Sequence, residues 1–266
     1  MANVDTRNIQ AGGATSASKS HAAGFVALWF VWLAMLAGAM ISGNLLDRHG
    51  AALPTALRMG SSVVLVITAW WAWTLWRDAA VGRFVRLIAI GMTLGTIGDF
   101  FNAGLLNFIP LPDPVLGGIA AFGLGHIAYI AGCVWLAKRT GLTNRTAMLI
   151  GILGWQLFGL IGWYYVALQG SEARGVVWPA LPYTLLLAGT AGVTAGLALQ
   201  EAKFFLLALG GALFLLSDLI LAFGMFRGSF PHSTEAVWLT YGPGQMLIVF
   251  SILSAAALLN RPGVRS

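Results

Sequence analysis

Charge is what this chain has least of. Asp, Glu, Lys and Arg make up only 9% of its 266 residues, against roughly 25% in a soluble domain, which excludes an ordinary water-facing globule. Cysteine is nearly missing as well. Cys133 stands alone within an apolar stretch, so no internal disulfide can form and the thiol reads as a small packing residue. Of the four histidines only His126 falls in an apolar stretch, while His21, His49 and His232 lie in tails or connections. The three converging ligands of a zinc hydrolase are therefore not supplied by histidine and cysteine, and no metal is expected. Lys19, Lys138 and Lys203 are terminal or in connections, which removes the mid-helix Schiff-base lysine of a retinal protein. No apolar run precedes a cleavage site in residues 1–23, where Gly12, Gly13, Ser16, Ser18 and Ser20 stand. That segment is expected to be a disordered tail, not a signal peptide.

What is present is apolar. Hydrophobic residues are 58% of the chain and the mean hydropathy is +0.82, the composition of an integral membrane protein. At about 20 residues per crossing, eight segments are long enough: 24–41, 55–76, 84–106, 115–137, 146–168, 178–199, 204–225 and 236–259. Only helices or closed barrels satisfy their own backbone groups in a bilayer. The expected fold is an all-α polytopic membrane bundle of about eight transmembrane helices, one domain over residues 24–260 with no linker dividing it. Many of the 34 glycines, such as Gly91, Gly95 and Gly98 or Gly117, Gly118 and Gly125, would let helices approach closely.

The formal net charge of +6 does not point to nucleic acid, because the basic residues are scattered over short connections. Counted by side, 11 Lys and Arg fall with the N-terminus and 4 (Arg48, Arg58, Arg174, Arg227) with the other side. The positive-inside rule then places both termini in the cytoplasm. A bacterial inner (plasma) membrane is the expected location. Trp70 to Trp76, Trp178 and Trp238 fall near segment ends and are expected in an interfacial belt.

Against this background two acids stand out. Asp99 lies 15 residues after Phe84 and Asp218 lies 14 after Phe204, each roughly 21 to 23 Å from the start of its segment. An ionised carboxylate in hydrocarbon costs roughly 2.5 to 3.5 kcal/mol on insertion scales, so such residues face a polar cavity and mark function. Segment eight runs the opposite way, which puts Tyr241 and Gln245 near the same depth and on one helix face. Asn102 shares the face of Asp99, and His126 with Tyr129 on segment four adds a titratable ring and a hydroxyl. Asp99 is followed 27 residues later by His126, and Asp218 is followed 27 residues later by Gln245. That echo suggests a parallel duplication of a four-helix unit. The plainer role of each residue is a hydrogen bond between packed helices; two acids at equal depth favour function over that role.

An intramembrane aspartyl protease also uses two aspartates, but its Gly-x-Gly-Asp signature is interrupted by Thr96 and Ile97 between Gly95 and Gly98, and Pro179-Ala180-Leu181 lies between the acids instead of after them. The runs Gly98-Asp99, Phe122-Gly123-Leu124-Gly125-His126-Ile127-Ala128-Tyr129, Gly211-Ala212-Leu213-Phe214-Leu215-Leu216-Ser217-Asp218, and Tyr241 with Gln245 resemble the YhhN family of lysoplasmalogenase-like membrane proteins. The resemblance spans roughly segments three to eight, with Gly-Ala-Leu-Phe-x-x-Ser-Asp its most specific element. The chain departs from the family's Tyr-Tyr before the glutamine, having Tyr241-Gly242-Pro243-Gly244-Gln245, where the proline is expected to kink the helix.

The resemblance implies hydrolysis of the vinyl ether bond of lysoplasmalogens to a fatty aldehyde and a glycerophospho-alcohol, with Asp99 and Asp218 as the catalytic pair. The chemistry suits two carboxyls. Protonation of the alkene carbon gives an oxocarbenium-like cation that water captures, so one acid must carry a proton while its partner is ionised. In a shared low-dielectric pocket, desolvation and like-charge repulsion oppose a second ionisation. Which aspartate is acid and which base stays open. His126, Tyr129, Asn102, Tyr241 and Gln245 would shape the pocket, and Arg174 or Arg227 would meet a phosphate. The expected partners are a lysophospholipid or ether-lipid substrate and membrane lipid, with no cofactor and no nucleic acid; oligomeric state is open. A transporter or proton-coupled carrier would use the same paired carboxylates, and a lipid-binding scaffold would keep them for packing alone.

Overall fold

A computed structural model describes residues 6–45 and 51–259, with side-chain surroundings from residue 21 onward. The first five residues of the expected tail, Arg48, His49, Arg261 and Arg265 lie outside the described residues. Regular structure among the described residues is helical, in eight long helices: α1 Thr6–Leu45, α2 Ala52–Trp76, α3 Gly82–Asn102, α4 Pro114–Thr140, α5 Arg145–Trp163, α6 Val177–Ala198, α7 Phe205–Arg227 and α8 Ser233–Leu259. Each includes a span long and apolar enough to cross a membrane. Helix α1 begins within the segment expected to be a tail, and its spanning part is His21–Leu45.

Local chemistry sets the helix ends. Asp113 caps α4, its Oδ1 accepting from the Val115 amide at 2.9 Å, and Pro114 fills the first turn, where its missing N–H costs nothing. The helix stops at Gly141, whose φ of 74° is left-handed, a conformation that glycine adopts without strain. Asn144 then caps α5, its Oδ1 accepting from the Ala147 amide at 3.1 Å. At the far end α5 loosens into a π-helical turn, Tyr164–Leu168. Its carbonyls are capped from a distance by arginines: Arg174 donates to Leu168 O and Arg227 donates to Tyr165 O.

Apart from α4 and α5, helices consecutive in the chain pack as hairpins, and further contacts of α4 with α6 and of α8 with α2 and α3 close the bundle. Helix α8 is the most buried span, while α5 and α1 are the most exposed and lie outside the central six. The end of the bundle that carries the α3–α4, α5–α6 and α7–α8 connections is the distal end.

The echo between the halves is present in the packing. Gly125 on α4 faces the Gly91 carbonyl on α3, where an added Cβ would stand 3.0 Å from it; Gly244 on α8 faces the Gly210 carbonyl on α7, where a Cβ would stand 3.1 Å away. The same interval of 119 residues separates Gly91 from Gly210, Gly125 from Gly244, Asp99 from Asp218 and His126 from Gln245. Each acid is thus carried by a helix pair sealed by the same glycine-on-carbonyl approach. In hydrocarbon such seams hold because close van der Waals packing replaces the hydrophobic drive.

The seam carries a testable cost. A Cβ at Gly210 would stand 2.9 Å from the Gly244 carbonyl, whereas one at Gly224, on the same helix, meets nothing within 4 Å. Gly210→Ala is expected to destabilise the protein by about 1–3 kcal/mol, and Gly224→Ala to leave thermal unfolding in detergent unchanged or slightly raised.

Candidate active site

Two helices that the halves have in common bring the acids together. Asp99 is one turn from the end of α3 and only 4% exposed. A buried carboxylate needs donors to replace water, and Asp99 receives one from Ser62 on α2, whose Oγ donates to its Oδ2 at 2.6 Å, while Tyr241 on α8 lines the same cavity. Asp218 is half-buried on α7, and the Tyr183 hydroxyl on α6 donates to its Oδ2. The two arrangements are counterparts. In each half the helix preceding the acid's own supplies the hydroxyl, at a separation of 37 residues for Ser62 and Asp99 and 35 for Tyr183 and Asp218.

Both acids line one cavity of about 140 Å³, together with Arg58, Phe122, Trp238 and Tyr241. That volume has room for several waters. A second cavity runs from the same point between α4, α6 and α7, with walls that include Val115, Ile119, Leu187, Leu215 and Met225. Asp218, Asn102, Phe122 and Leu221 belong to both cavities; Asp99 belongs only to the first of them. The site therefore has a polar chamber and an apolar slot, and Asp218 stands where they meet.

Behind Asp99 lies a buried relay. The Tyr129 hydroxyl donates to Gln245 Oε1 at 3.0 Å, and Gln245 Nε2 donates to the Tyr241 hydroxyl oxygen at 3.0 Å. The proline expected to kink α8 sits inside a helix that continues through it from Ser233 to Leu259, and Tyr241 and Gln245 keep the i, i+4 relation that their mutual bond requires.

The structure does not bring every anticipated residue to the chamber. His126 is 1% exposed and its Nδ1 pairs with Thr190 Oγ1 on α6 at 2.8 Å. Its ring meets Phe214 edge-on at 4.4 Å between centroids, so it packs α4 against α6 and α7 and lines neither cavity. Asn102, exposed at the end of α3, lines both. Arg174 and Arg227 line neither; they hold the π-helical turn of α5. Trp238, expected in an interfacial belt, instead walls the chamber and packs on Tyr241 at 5.3 Å. Ser62 and Tyr183 escaped the sequence reading and Arg58 entered it only as an orientation charge, although each is a polar residue inside an apolar segment and Arg58 and Ser62 are spaced i, i+4. Among the described residues no three His, Cys, Asp or Glu side chains converge as a metal site.

Comparison with known proteins agrees with this frame. The YhhN family model matches residues 53–252, three quarters of the chain, and the chain belongs to that family. Lysoplasmalogenase TMEM86B of Sus scrofa is 31% identical over 153 residues, which cover 55% of this chain and 58% of that protein. The lysoplasmalogenase TMEM86B of Homo sapiens is 28% identical over 179 residues, 67% of this chain and 69% of that protein. The match thus spans little more than half the length of the pig relative. No solved structure matches the chain significantly.

The relay predicts how the site responds to losing its middle member. Gln245→Leu leaves the buried Tyr129 and Tyr241 hydroxyls without their shared partner, and stability should fall by about 1–3 kcal/mol. Asp99→Asn keeps an acceptor oxygen for Ser62 and should unfold within a few degrees of wild type, as measured by thermal denaturation in detergent.

Proposed function

We propose that the protein is a membrane-embedded hydrolase that cleaves the vinyl ether bond of lysoplasmalogens, with Asp218 as the acid and Asp99 as the base. The observation that carries this reading is the position of the two carboxyls on one chamber, with one of them alone reaching the apolar slot. An amphiphile with its chain in the slot and its glycerol in the chamber would bring its alkene past Asp218 and leave space for water beside Asp99. Membership of the YhhN family and the lysoplasmalogenase relatives support the choice of substrate.

The reaction closes on itself. Asp218 delivers its proton to the alkene carbon remote from oxygen, and the neighbouring carbon becomes an oxocarbenium ion beside two carboxylates that stabilise it electrostatically. Asp99 takes a proton from water as the water oxygen bonds to that carbon, forming a hemiacetal. Asp99 then returns this proton to the ether oxygen while Asp218 takes the hemiacetal hydroxyl proton. The carbon–oxygen bond breaks, aldehyde and glycerophospho-alcohol separate, and the acids regain their starting states. Ser62 holds Asp99, and Tyr241 walls the chamber beside it. Tyr183 engages one oxygen of Asp218 and leaves the other to face the alkene.

Asp218→Asn and Asp99→Asn should each lower aldehyde release from lysoplasmalogen by about 10²- to 10⁴-fold, the usual contribution of a general acid or base. In heavy water the aldehyde should carry one deuterium on the carbon next to its carbonyl, and the saturated alkyl ether analogue should not be cleaved. Full activity in either variant, or transport of the lipid with no product, would defeat the reading.

A further inference from the structure

The geometry points to Arg58 as the anchor for the phosphate of the substrate's head group, an assignment that rests on the hydrolase reading. Arg58 lies in the second turn of α2, near the distal end, and is 8% exposed. It is the one lysine or arginine, among the described residues, that lines the chamber shared by the two aspartates. Its guanidinium lies over the Trp238 ring, 5.6 Å from the centroid, and Nη2 donates to Thr55 Oγ1 at 3.2 Å. These contacts hold the guanidinium at the chamber wall. A guanidinium carries five N–H donors in a fork whose geometry matches a phosphate in a bidentate manner.

Distance supports the assignment. Arg58 and Ser62 are one turn apart on the same face of α2, about 6 Å along the axis, and Ser62 is bonded to Asp99. The cation therefore sits about one helical turn closer to the distal end than the acids. In a 1-alkenyl glycerophospholipid the chain of bonds from phosphorus to the alkene carbon that accepts the proton spans roughly 8 Å when extended. That length fits between guanidinium and acid pair within the reach of the arginine side chain. With the phosphate at Arg58, the alkene falls at the junction and the hydrocarbon continues into the apolar slot. Arg58 thus selects phosphorylated amphiphiles over neutral alkenyl glycerols and sets which bond stands before Asp218; it is a specificity-determining residue, not a proton donor.

The test compares 1-alkenyl-glycerophosphoethanolamine with 1-alkenyl-glycerol of the same chain length on the purified full-length protein. Arg58→Met should raise KM for the phosphorylated substrate by about 10- to 100-fold, as expected for losing a charged hydrogen bond, and leave KM for the neutral one within about twofold. Arg58→Lys, which keeps the charge and loses the fork, should fall between on the phosphorylated substrate alone. Equal effects on both substrates, or no effect on either, would overturn the assignment, and activity on alkenyl glycerol shows that the variants fold. Wild type that releases aldehyde from neither substrate would defeat the hydrolase reading instead. In that event binding of lysophosphatidylethanolamine against monoacylglycerol still judges Arg58: selective loss of the former in Arg58→Met supports the anchor, and equal affinity overturns it.

Discussion

Two carboxyl groups inside a membrane bundle must be hydrogen-bonded, and the rest of the architecture is arranged around meeting that demand twice. Unpaired acids at this depth would cost several kilocalories per mole. Each is therefore met by a hydroxyl from the preceding helix, Ser62 for Asp99 and Tyr183 for Asp218, while the glycine seams lock each acid's helix against the helix that follows it. The seams, the donors and the acids form one dependency: loosening the α7–α8 approach at Gly210 and Gly244 shifts the helix that carries Asp218 and the helix that carries Tyr241 together.

Burial divides the site unevenly. Asp99, nearly inaccessible, is bonded to Ser62 beside the Tyr129–Gln245–Tyr241 relay, whereas Asp218 is half-buried and bonded to Tyr183 on the edge of a slot with apolar walls. A carboxyl that must reach a hydrocarbon chain benefits from exposure to it. One that must handle water benefits from a polar chamber and fixed dipoles, which need no reorganisation during reaction. In the proposed reaction that difference in surroundings assigns two chemically identical side chains different work.

The bundle was largely readable from hydropathy because the bilayer demands long apolar helices, and all eight expected segments correspond to observed ones. The acids were legible for the same reason, since charge in such a segment is conspicuous. Hydroxyl donors were not. Serine and tyrosine are common in membrane helices and nothing in Ser62 or Tyr183 taken alone distinguishes a partner of a catalytic acid from a packing residue; only the rotation of α2 and α6 decides it. Arg58 was read as an orientation marker near a segment end, because sequence gives depth but not the inward face. His126 misled in the opposite way: a titratable ring close to the expected depth faces Thr190, one helix away from the chamber.

The repeated interval of 119 residues between equivalent glycines and acids implies a history as well as a geometry. A half-length ancestor, with an even number of crossings, would insert every copy the same way up and could pair with its twin about an axis normal to the bilayer. Such a pair would own two interchangeable acids. Joining the copies into one polypeptide releases each from its twin's sequence, so that one side can open toward lipid while the other stays sealed.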